Sequence, residues 1–162
     1  MLAKYLTIYY DQFGEEVTTI ENNGSFLRMV VRGVEFESSM LDDWEAITPL
    51  DATHLASFSL RGNELCFYNL NFEIPVFVVV SDKILQAILY VHFELGKPKS
   101  NGAIDREELQ LELLVKGQSF KSRGKYGWFE DALREIHEQL PAGMFLRWCP
   151  STTCIDISSN KG

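Results

Sequence analysis

Cysteine is scarce in this chain of 162 residues, which contains only three. Cys66, Cys149 and Cys154 are an odd number at uneven spacings, whereas a disulfide framework uses an even number. Proteins that depend on disulfides belong to oxidising compartments, so this low count favours a reducing one. We therefore expect a cytoplasmic protein.

Long hydrophobic runs are also missing. The longest unbroken apolar stretches, residues 76–80 and 87–91, fall far short of the ~20 residues that a membrane-spanning helix needs. The N-terminal sequence is MLAKYLTIYYDQ, with one lysine and no small-residue cleavage site, so it predicts a first strand and not a signal peptide. These absences predict a protein that does not enter a membrane.

Positive charge is in deficit, with 15 Lys and Arg against 23 Asp and Glu and a formal net charge of −8. A protein that binds nucleic acid needs a basic surface to displace the counterions of the phosphates, so we expect no nucleic-acid partner. The same deficit argues against docking on an anionic membrane. A net charge of this size is an ordinary way to keep a domain in solution.

Sequence motifs for catalysis or cofactor binding are absent. His54, His92 and His137 lack the spaced partners of a zinc site or a catalytic triad, so each is expected to be structural. Adjacent carboxylates, such as Glu107 and Glu108, point to opposite faces of a strand and form no acid/base pair by spacing alone. The sequence therefore predicts no catalytic residue and no cofactor, and it favours a protein that is not an enzyme.

Apolar and aromatic residues, in contrast, are plentiful. They make up 46% and 12% of the chain, which is enough for a packed core and excludes a disordered protein. A chain of this length buries most of its surface around one core. We predict a single globular domain over residues 1–157, followed by a polar tail at residues 158–162.

Alternation of apolar and polar residues predicts antiparallel strands that follow one another along the chain. Residues 84–95 alternate from Leu89 to Leu95 and are predicted to pair with residues 108–116. Residues 72–80 are strongly apolar but contain Pro75, which favours a sheet edge or the start of a strand. Together these patterns predict a sheet of the meander type.

The third predicted strand, residues 25–37, changes its phase at a glycine. Leu27, Met29 and Val31 share one face before Gly33, and Val34 and Phe36 carry the apolar pattern after it. Because side chains alternate with a period of two, such a change requires an extra residue. We predict a β-bulge at Gly33.

A hairpin is predicted at Gly62-Asn63, which is typical of a two-residue turn. The flanking strands would be residues 56–61 and 64–70. In this register Leu60 faces Leu65, and Phe58 faces Phe67.

The helical period predicts one helix at residues 128–140. Its apolar side chains form one stripe: Phe129, Ala132, Leu133, Ile136 and Leu140. A shorter helix is predicted at residues 41–47, with Trp44 buried. The predicted fold class is α+β: an antiparallel β-meander sheet with one C-terminal amphipathic helix (128–140) packed on it.

Cys149 and Cys154 suggest a thiol or metal site. Thiolates are good zinc ligands, but metal knuckles and redox dithiols usually have two intervening residues, and here there are four. Cys66 or a histidine would have to complete the site. The alternative, which we favour, is a small buried thiol at the end of a strand.

A basic, glycine-containing segment stands out in this acidic chain. Lys121, Arg123 and Lys125 are accompanied by two aromatic residues, Tyr126 and Trp128. Such a segment could bind an anionic ligand or another protein. The alternative is a solvated loop whose charges balance nearby glutamates.

Three stretches resemble a bacterial family that is known only as a domain of unknown function. They are RGVEF at residues 32–36, ELCFYNLNFEIP at residues 64–75 and FEDALREIHEQLP at residues 129–141. The resemblance covers residues 26–149 and implies a bacterial origin. The family has a cysteine-rich segment after its final strand, from which this chain departs near Cys149.

We interpret the sequence as a non-catalytic cytoplasmic protein-interaction module, an accessory or immunity-like factor whose partner is another protein. This interpretation predicts a face with exposed aromatic residues, such as Tyr9, Tyr126 or Trp128. A thiol- or metal-binding protein that uses Cys149 and Cys154 is the alternative. An enzyme whose site is assembled from several strands is the third possibility.

Overall fold

The computed structural model describes residues 2–124, 128–148 and 155–156. This part of the chain is mostly antiparallel sheet with two short helices. The strands are β1 (Ala3–Asp11), β2 (Gly14–Asn22), β3 (Leu27–Val31), β4 (Val34–Ser38), β5 (Glu45–Ala46), β6 (Leu60–Arg61), β7 (Glu64–Leu65), β8 (Tyr68–Val80), β9 (Lys83–Leu95), β10 (Glu107–Val115), β11 (Gln118–Lys121), β12 (Met144–Trp148) and β13 (Ile155–Asp156). The helices are α1 (Ala52–Ser57) and α2 (Phe129–Gln139).

The strands form one sheet in the order β11-β10-β9-β8-β1-β2-β3-β4-β5-β7-β6, and every pair is antiparallel. Sequential neighbours account for most of this order, as predicted. The exceptions in this path are β8, which returns to pair with β1, and β7, which pairs with β5. The long-range pairing of β8 with β1 brings the first and the middle strands of the chain side by side.

The predicted pairing of residues 84–95 with residues 108–116 is confirmed. Strand β9 pairs with β10 from Glu107↔Leu95 to Leu114↔Ile88. The prediction succeeded because one face of both strands is buried, and a slip of one residue would expose the whole apolar set.

The bulge predicted at Gly33 is wrong. Residues 32 and 33 are a two-residue turn between β3 and β4, with Val31 paired to Val34. Arg32 has φ 49° and Gly33 has φ 77°, the left-handed conformation that a tight hairpin of this kind requires at both positions. The apolar pattern changes its phase because the chain reverses.

The hairpin at Gly62-Asn63 exists but is shorter than predicted. Leu60 does face Leu65, across strands of two residues each. Phe58 and Phe67 do not face each other: residues 52–57 form α1, and Phe58 packs edge-on against Phe36 with ring centroids 5.4 Å apart. Phe67 has φ 53°, which breaks the strand before β8 begins.

The helix predicted at residues 41–47 is also wrong. That segment contains the short strand β5, and the first helix, α1, begins at residue 52. The Asp51 side chain caps α1 by accepting a hydrogen bond from the His54 backbone N–H, and within the described residues α1 is the second helix beside α2. Trp44 is buried, as predicted.

Pro75 lies in the middle of β8, not at a sheet edge or the start of a strand. On one side β8 pairs with β9 over its full length. On the other side it pairs with β1 at residues 68–72 and with β12 at residues 77–80. A proline has no N–H to donate, and here it falls in the interval between those two partners.

The core lies on one face of the sheet. Helix α2 contacts β10 and β11 and buries Ala132, Leu133, Ile136 and His137. The largest fully buried side chains include Trp44, Tyr9, Tyr68, Phe36 and Phe93. Within the described ranges, neither helix is long and apolar enough to cross a bilayer. The predicted tail at residues 158–162 lies outside the described residues.

Candidate functional site

The face of the sheet opposite the core carries a groove of about 790 Å³, which we call the outer groove. Most of its lining consists of alternate strand residues, because successive side chains of a strand point to opposite faces, and the core-face residues Tyr5, Phe72, Val91 and Leu111 border it as well. On β1, for example, Leu6 and Ile8 line the groove, whereas Thr7 and Tyr9 are fully buried on the other face. The long-range pairing of β1 with β8 creates this surface.

Apolar side chains are unusually exposed in the outer groove. Leu6 is 73% exposed and Val17 is 63% exposed, and Ile8 and Ile88 are also among the exposed apolar residues. Single exposed apolar residues are normal on a protein surface. A concave group of them is typical of binding surfaces, since water contact with a large apolar area is unfavourable.

A polar row crosses the middle of the outer groove. Strand pairing places Asn71, His92 and Gln110 opposite one another on β8, β9 and β10, and the line continues onto β1 and β2 with the apolar side chains of Ile8 and Val17. The Nδ1 atom of His92 lies 2.6 Å from the Oδ1 atom of Asn71. With the amide oxygen as acceptor, Nδ1 carries the proton, and the ring is held in a fixed orientation.

The charged residues of the outer groove include both signs. Lys4 lies 3.7 Å from the Glu21 carboxylate, and Lys121 stands opposite Glu112 in the β10–β11 pair. Glu73 is the fourth charged residue of the lining, after Lys4, Lys121 and Glu112. With two lysines and two glutamates in its lining, the groove does not select strongly for an anion or a cation.

The predicted basic segment is only partly brought to this site. Lys121 lines the outer groove, and its carbonyl accepts a hydrogen bond from Gln139. The Arg123 backbone N–H donates to the Glu135 carboxylate, which ties the segment to α2. Trp128 is 59% exposed and stands just before α2, outside the groove lining.

Two predicted interaction residues, Lys125 and Tyr126, lie outside the described residues. Tyr9, which was expected to be exposed, is fully buried. Its hydroxyl donates a hydrogen bond of 2.8 Å to the Asp11 carboxylate. The expectation failed because β1 is apolar on both faces, so alternation does not reveal which face is buried.

The cysteines predicted for a thiol or metal site, Cys149 and Cys154, also lie outside the described residues. Cys66 is buried, and its thiol donates to the Ser59 carbonyl over 3.3 Å. Burial raises the pKa of the Cys66 thiol, which disfavours the thiolate that a metal would need. Within the described part of the chain, no three His, Cys, Asp or Glu residues are grouped as metal ligands.

The groove residues Leu6, Ile8, Val17 and His92 were not predicted as site residues from the sequence. For Leu6 and Ile8 a signal was present, because residues 4–10 of β1 are rich in apolar residues on both faces. A surface strand normally has one polar face, so a strand with two apolar faces indicates a second contact. His92 was taken as a structural residue, and only the pairing of β8 with β1 places it in the groove.

Comparison with known proteins gives one match. Residues 3–154 match the model of a family of unknown function, DUF6304. No curated protein and no solved structure matches the chain. The match supplies no activity, ligand or partner.

Proposed function

The chain belongs to this family of unknown function, and we propose that it is a non-catalytic protein-interaction module whose partner binds in the outer groove. The observation that carries the proposal is the exposure of Leu6, Ile8, Val17 and Ile88 in one concave surface. Covering a fully exposed apolar side chain stabilises a complex by about 1.5–3 kcal/mol, and Ile8 and Ile88, which are already more than half buried, would contribute less. The partner is therefore expected to present apolar side chains.

The size of the outer groove favours a segment of a protein. Its 790 Å³ is far larger than one side chain, and the groove is open along the sheet face. A segment of several residues would fill it, whereas a single inserted side chain would leave most of the apolar surface wet.

The polar row fits a peptide chain. Asn71 and Gln110 have side-chain amides, which both donate and accept hydrogen bonds, as peptide groups do. A partner backbone that crosses the groove would otherwise lose its hydrogen bonds to water, and unpaired buried amides are costly. The row supplies replacements in the middle of an apolar surface.

A non-catalytic role is supported by the composition of the groove. Among the described residues that line it, there is no Ser, Thr or Cys to act as a nucleophile. His92 is already hydrogen-bonded to Asn71, an arrangement that holds its ring in place. We propose that the module acts in the cytoplasm as an accessory or immunity-like factor, in line with its few cysteines.

Site-specific photocrosslinking tests the proposal. A benzophenone amino acid replaces Leu6 in the full chain, and in a second protein it replaces Ile84, which is an exposed strand residue outside the groove. We expect position 6 to yield an adduct with one other protein and position 84 to yield none. Equal adducts at both positions, or an adduct with a second copy of this chain, would overturn the proposal.

A further inference from the structure

Part of strand β1 has no strand beside it where it borders the outer groove. Strand β1 pairs with β2 over its full length, but it pairs with β8 only from Thr7↔Phe72 to Asp11↔Tyr68. At residues 3–6, no strand of the described part of the chain pairs with β1 on the side that faces β8. A partner in the groove would therefore meet a backbone edge as well as apolar side chains.

The β1–β2 turn determines which backbone groups lie on this edge. The turn at residues 12–13 closes with the pair Asp11↔Gly14, and the residues that flank a two-residue turn are hydrogen-bonded to each other. Because the backbone groups of a strand alternate in direction, odd-numbered residues of β1 bond to β2 and even-numbered residues face β8. Lys4 and Leu6 face that side beyond the end of the pairing, and both line the outer groove. We call these two residues the open edge.

The hairpin of β8 and β9 supports the same assignment. Its turn, residues 81–82, closes with the pair Val80↔Lys83, so even-numbered residues of β8 bond to β9 and odd-numbered residues face β1. Asn71 is odd-numbered and stands opposite Ile8, an even-numbered residue of β1. Two separate turns therefore agree on which backbone groups face each other between β1 and β8.

Pro75 gives a reason for the end of this pairing. If the register of β1 and β8 continued, Lys4 would stand opposite Pro75, which has no N–H to donate. Two core-face side chains reach the groove near this point. Tyr5 and Phe72, whose ring centroids are 5.9 Å apart, line both the outer groove and a second cavity of about 250 Å³ on the core side of the sheet. The separation of the two strands explains why both cavities reach the same pair of rings.

Covering the open edge is costly unless the partner forms hydrogen bonds with it. A buried N–H or C=O group without a hydrogen bond costs about 1–3 kcal/mol. An extended peptide presents donors and acceptors at the spacing of a strand, and it can add to an exposed sheet edge. A helix bonds its backbone groups internally and presents only side chains. The open edge therefore favours an extended segment.

The side chains beside the open edge restrict the sequence of this segment. Leu6 is 73% exposed, so the residue opposite it is expected to be apolar. Lys4 already lies 3.7 Å from the Glu21 carboxylate, whereas Glu73 forms no ion pair with any of the described residues. Glu73 would stand opposite Leu6 if the register continued. A lysine or arginine in the segment would complement its charge.

We propose that the partner adds an extended segment to the open edge of β1. The N–H groups of Lys4 and Leu6 donate to carbonyls of the segment, and their own carbonyls accept from its N–H groups. An apolar side chain of the segment packs on Leu6, and a basic one lies beside Glu73. This inference rests on the proposed function, since it states how the outer groove holds its partner.

Amide hydrogen exchange of the full chain, followed by NMR, is the first test. In the free chain, the N–H groups of Lys4 and Leu6 should exchange at least ~10-fold faster than those of Tyr5 and Thr7, which bond to β2. Fraying of the N-terminus would accelerate all four together. Slow exchange at Lys4 and Leu6 would mean that the edge is already paired, and it would overturn the inference.

The bound state supplies the second test. The segment that crosslinks to position 6 is identified by mass spectrometry of the adduct and synthesised in three forms: unmodified, and N-methylated at alternate residues in either phase. The unmodified peptide should slow exchange at Lys4 and Leu6 at least ~10-fold. One methylated form should bind at least ~10-fold more weakly, and the other should bind nearly as well as the unmodified peptide. Equal affinities of the two methylated forms, or no binding of the unmodified peptide, would contradict strand addition.

The charge of Glu73 is tested with a matched pair of variants. Glu73→Gln should weaken binding of the unmodified peptide about twofold to fivefold. Glu15→Gln is the control, because Glu15 is also an exposed strand residue but lies outside the groove lining, and it should change nothing. Equal effects of the two variants would contradict the placement of a basic side chain beside Glu73.

The inference and the proposed function fail in different ways. If position 6 captures no partner, the proposed function fails, and the inference fails with it. If the captured partner binds and Leu6→Asp weakens it, but exchange at Lys4 and Leu6 does not slow, the groove holds its partner through side chains alone. In that case only strand addition is wrong.

Discussion

The guanidinium of Arg32 donates two hydrogen bonds to the Asp11 carboxylate, at 2.7 and 2.8 Å, and joins two turns that are far apart in the sequence. Asp11 precedes the β1–β2 turn, and Arg32 lies in the β3–β4 turn. Arg32 also donates to the Ser57 carbonyl at the end of α1, and its guanidinium lies over the ring of Phe58. This pair fixes one end of the sheet against α1.

Replacement of Arg32 by alanine tests the importance of this pair. The Asp11 side chain is only 1% exposed, so the variant leaves a buried charge without its partner. We expect the free energy of unfolding to fall by about 3 kcal/mol in urea denaturation. Arg28→Ala is the control: its bridges to Glu35 and Glu37 are exposed, and its loss should cost less than about 1 kcal/mol.

The same pair predicts a pH dependence. Burial raises the pKa of Asp11, but hydrogen bonds from Arg32, Tyr9 and the Phe13 N–H outweigh it and lower the pKa below its usual value of 3.8. A lowered folded-state pKa means that the stabilisation is complete above the unfolded-state pKa and is lost as the pH falls through the folded-state value. Urea denaturation from about pH 5 to about pH 3 should show this loss, and Asp11→Asn should reduce it. An equal loss in the variant would contradict the assignment.

The opposite pH dependence of stability is expected at Glu107. Burial and the nearby negative charge of Asp42 raise the pKa of Glu107. A raised pKa favours the folded state at low pH, and this contribution is lost as the pH rises through the folded-state value. Glu107→Gln should therefore stabilise the chain at neutral pH, by less than about 1 kcal/mol because the site is partly exposed, and the gain should vanish in acid.

The neighbouring residue provides the control for this variant. Glu108 accepts a hydrogen bond from Arg106 at 3.0 Å, so Glu108→Gln removes an attraction and not a repulsion. A gain in stability from both variants would indicate a general effect of the net charge.

The conformation of the β3–β4 turn leads to a separate prediction about Gly33. A Cβ atom at this position would meet nothing within 4 Å, so the cost of Gly33→Ala comes from its φ of 77° alone. We expect a loss of about 1–2 kcal/mol. Gly33→Asn should lose less, because asparagine tolerates the left-handed conformation. Equal losses of unfolding free energy in the two variants, measured by thermal or urea unfolding, would show that the positive φ is not the cause.

Several features that depend on residues close together in the sequence were predicted correctly. The alternation in β9 and β10, the Gly62-Asn63 turn and the burial of Trp44 were all foreseen. The turn at Arg32 was not, because arginine is unusual there and its conformation is supported by Asp11 and Glu16, which lie far away in the sequence.

The outer groove depends on non-local pairing. Nothing in the order of the residues indicates that β8 returns to β1, and without that pairing Ile8 and Asn71 are not neighbours. The position of Pro75 in the middle of β8 also depends on non-local pairing. On one side of β8 the neighbouring strand changes from β1 to β12, and Pro75 lies between the two. The sequence could predict a sheet, but it could not predict which outer residues would form one surface.

Titration of the crosslinked partner tests the central claim most directly. The purified partner would be titrated calorimetrically into the full chain, into Leu6→Asp and into Ile84→Asp, which both place a charge at an exposed strand position. If the outer groove is the binding site, Leu6→Asp should raise the dissociation constant by at least ~10-fold, and Ile84→Asp should leave it unchanged. The same dissociation constant for all three proteins would contradict the account.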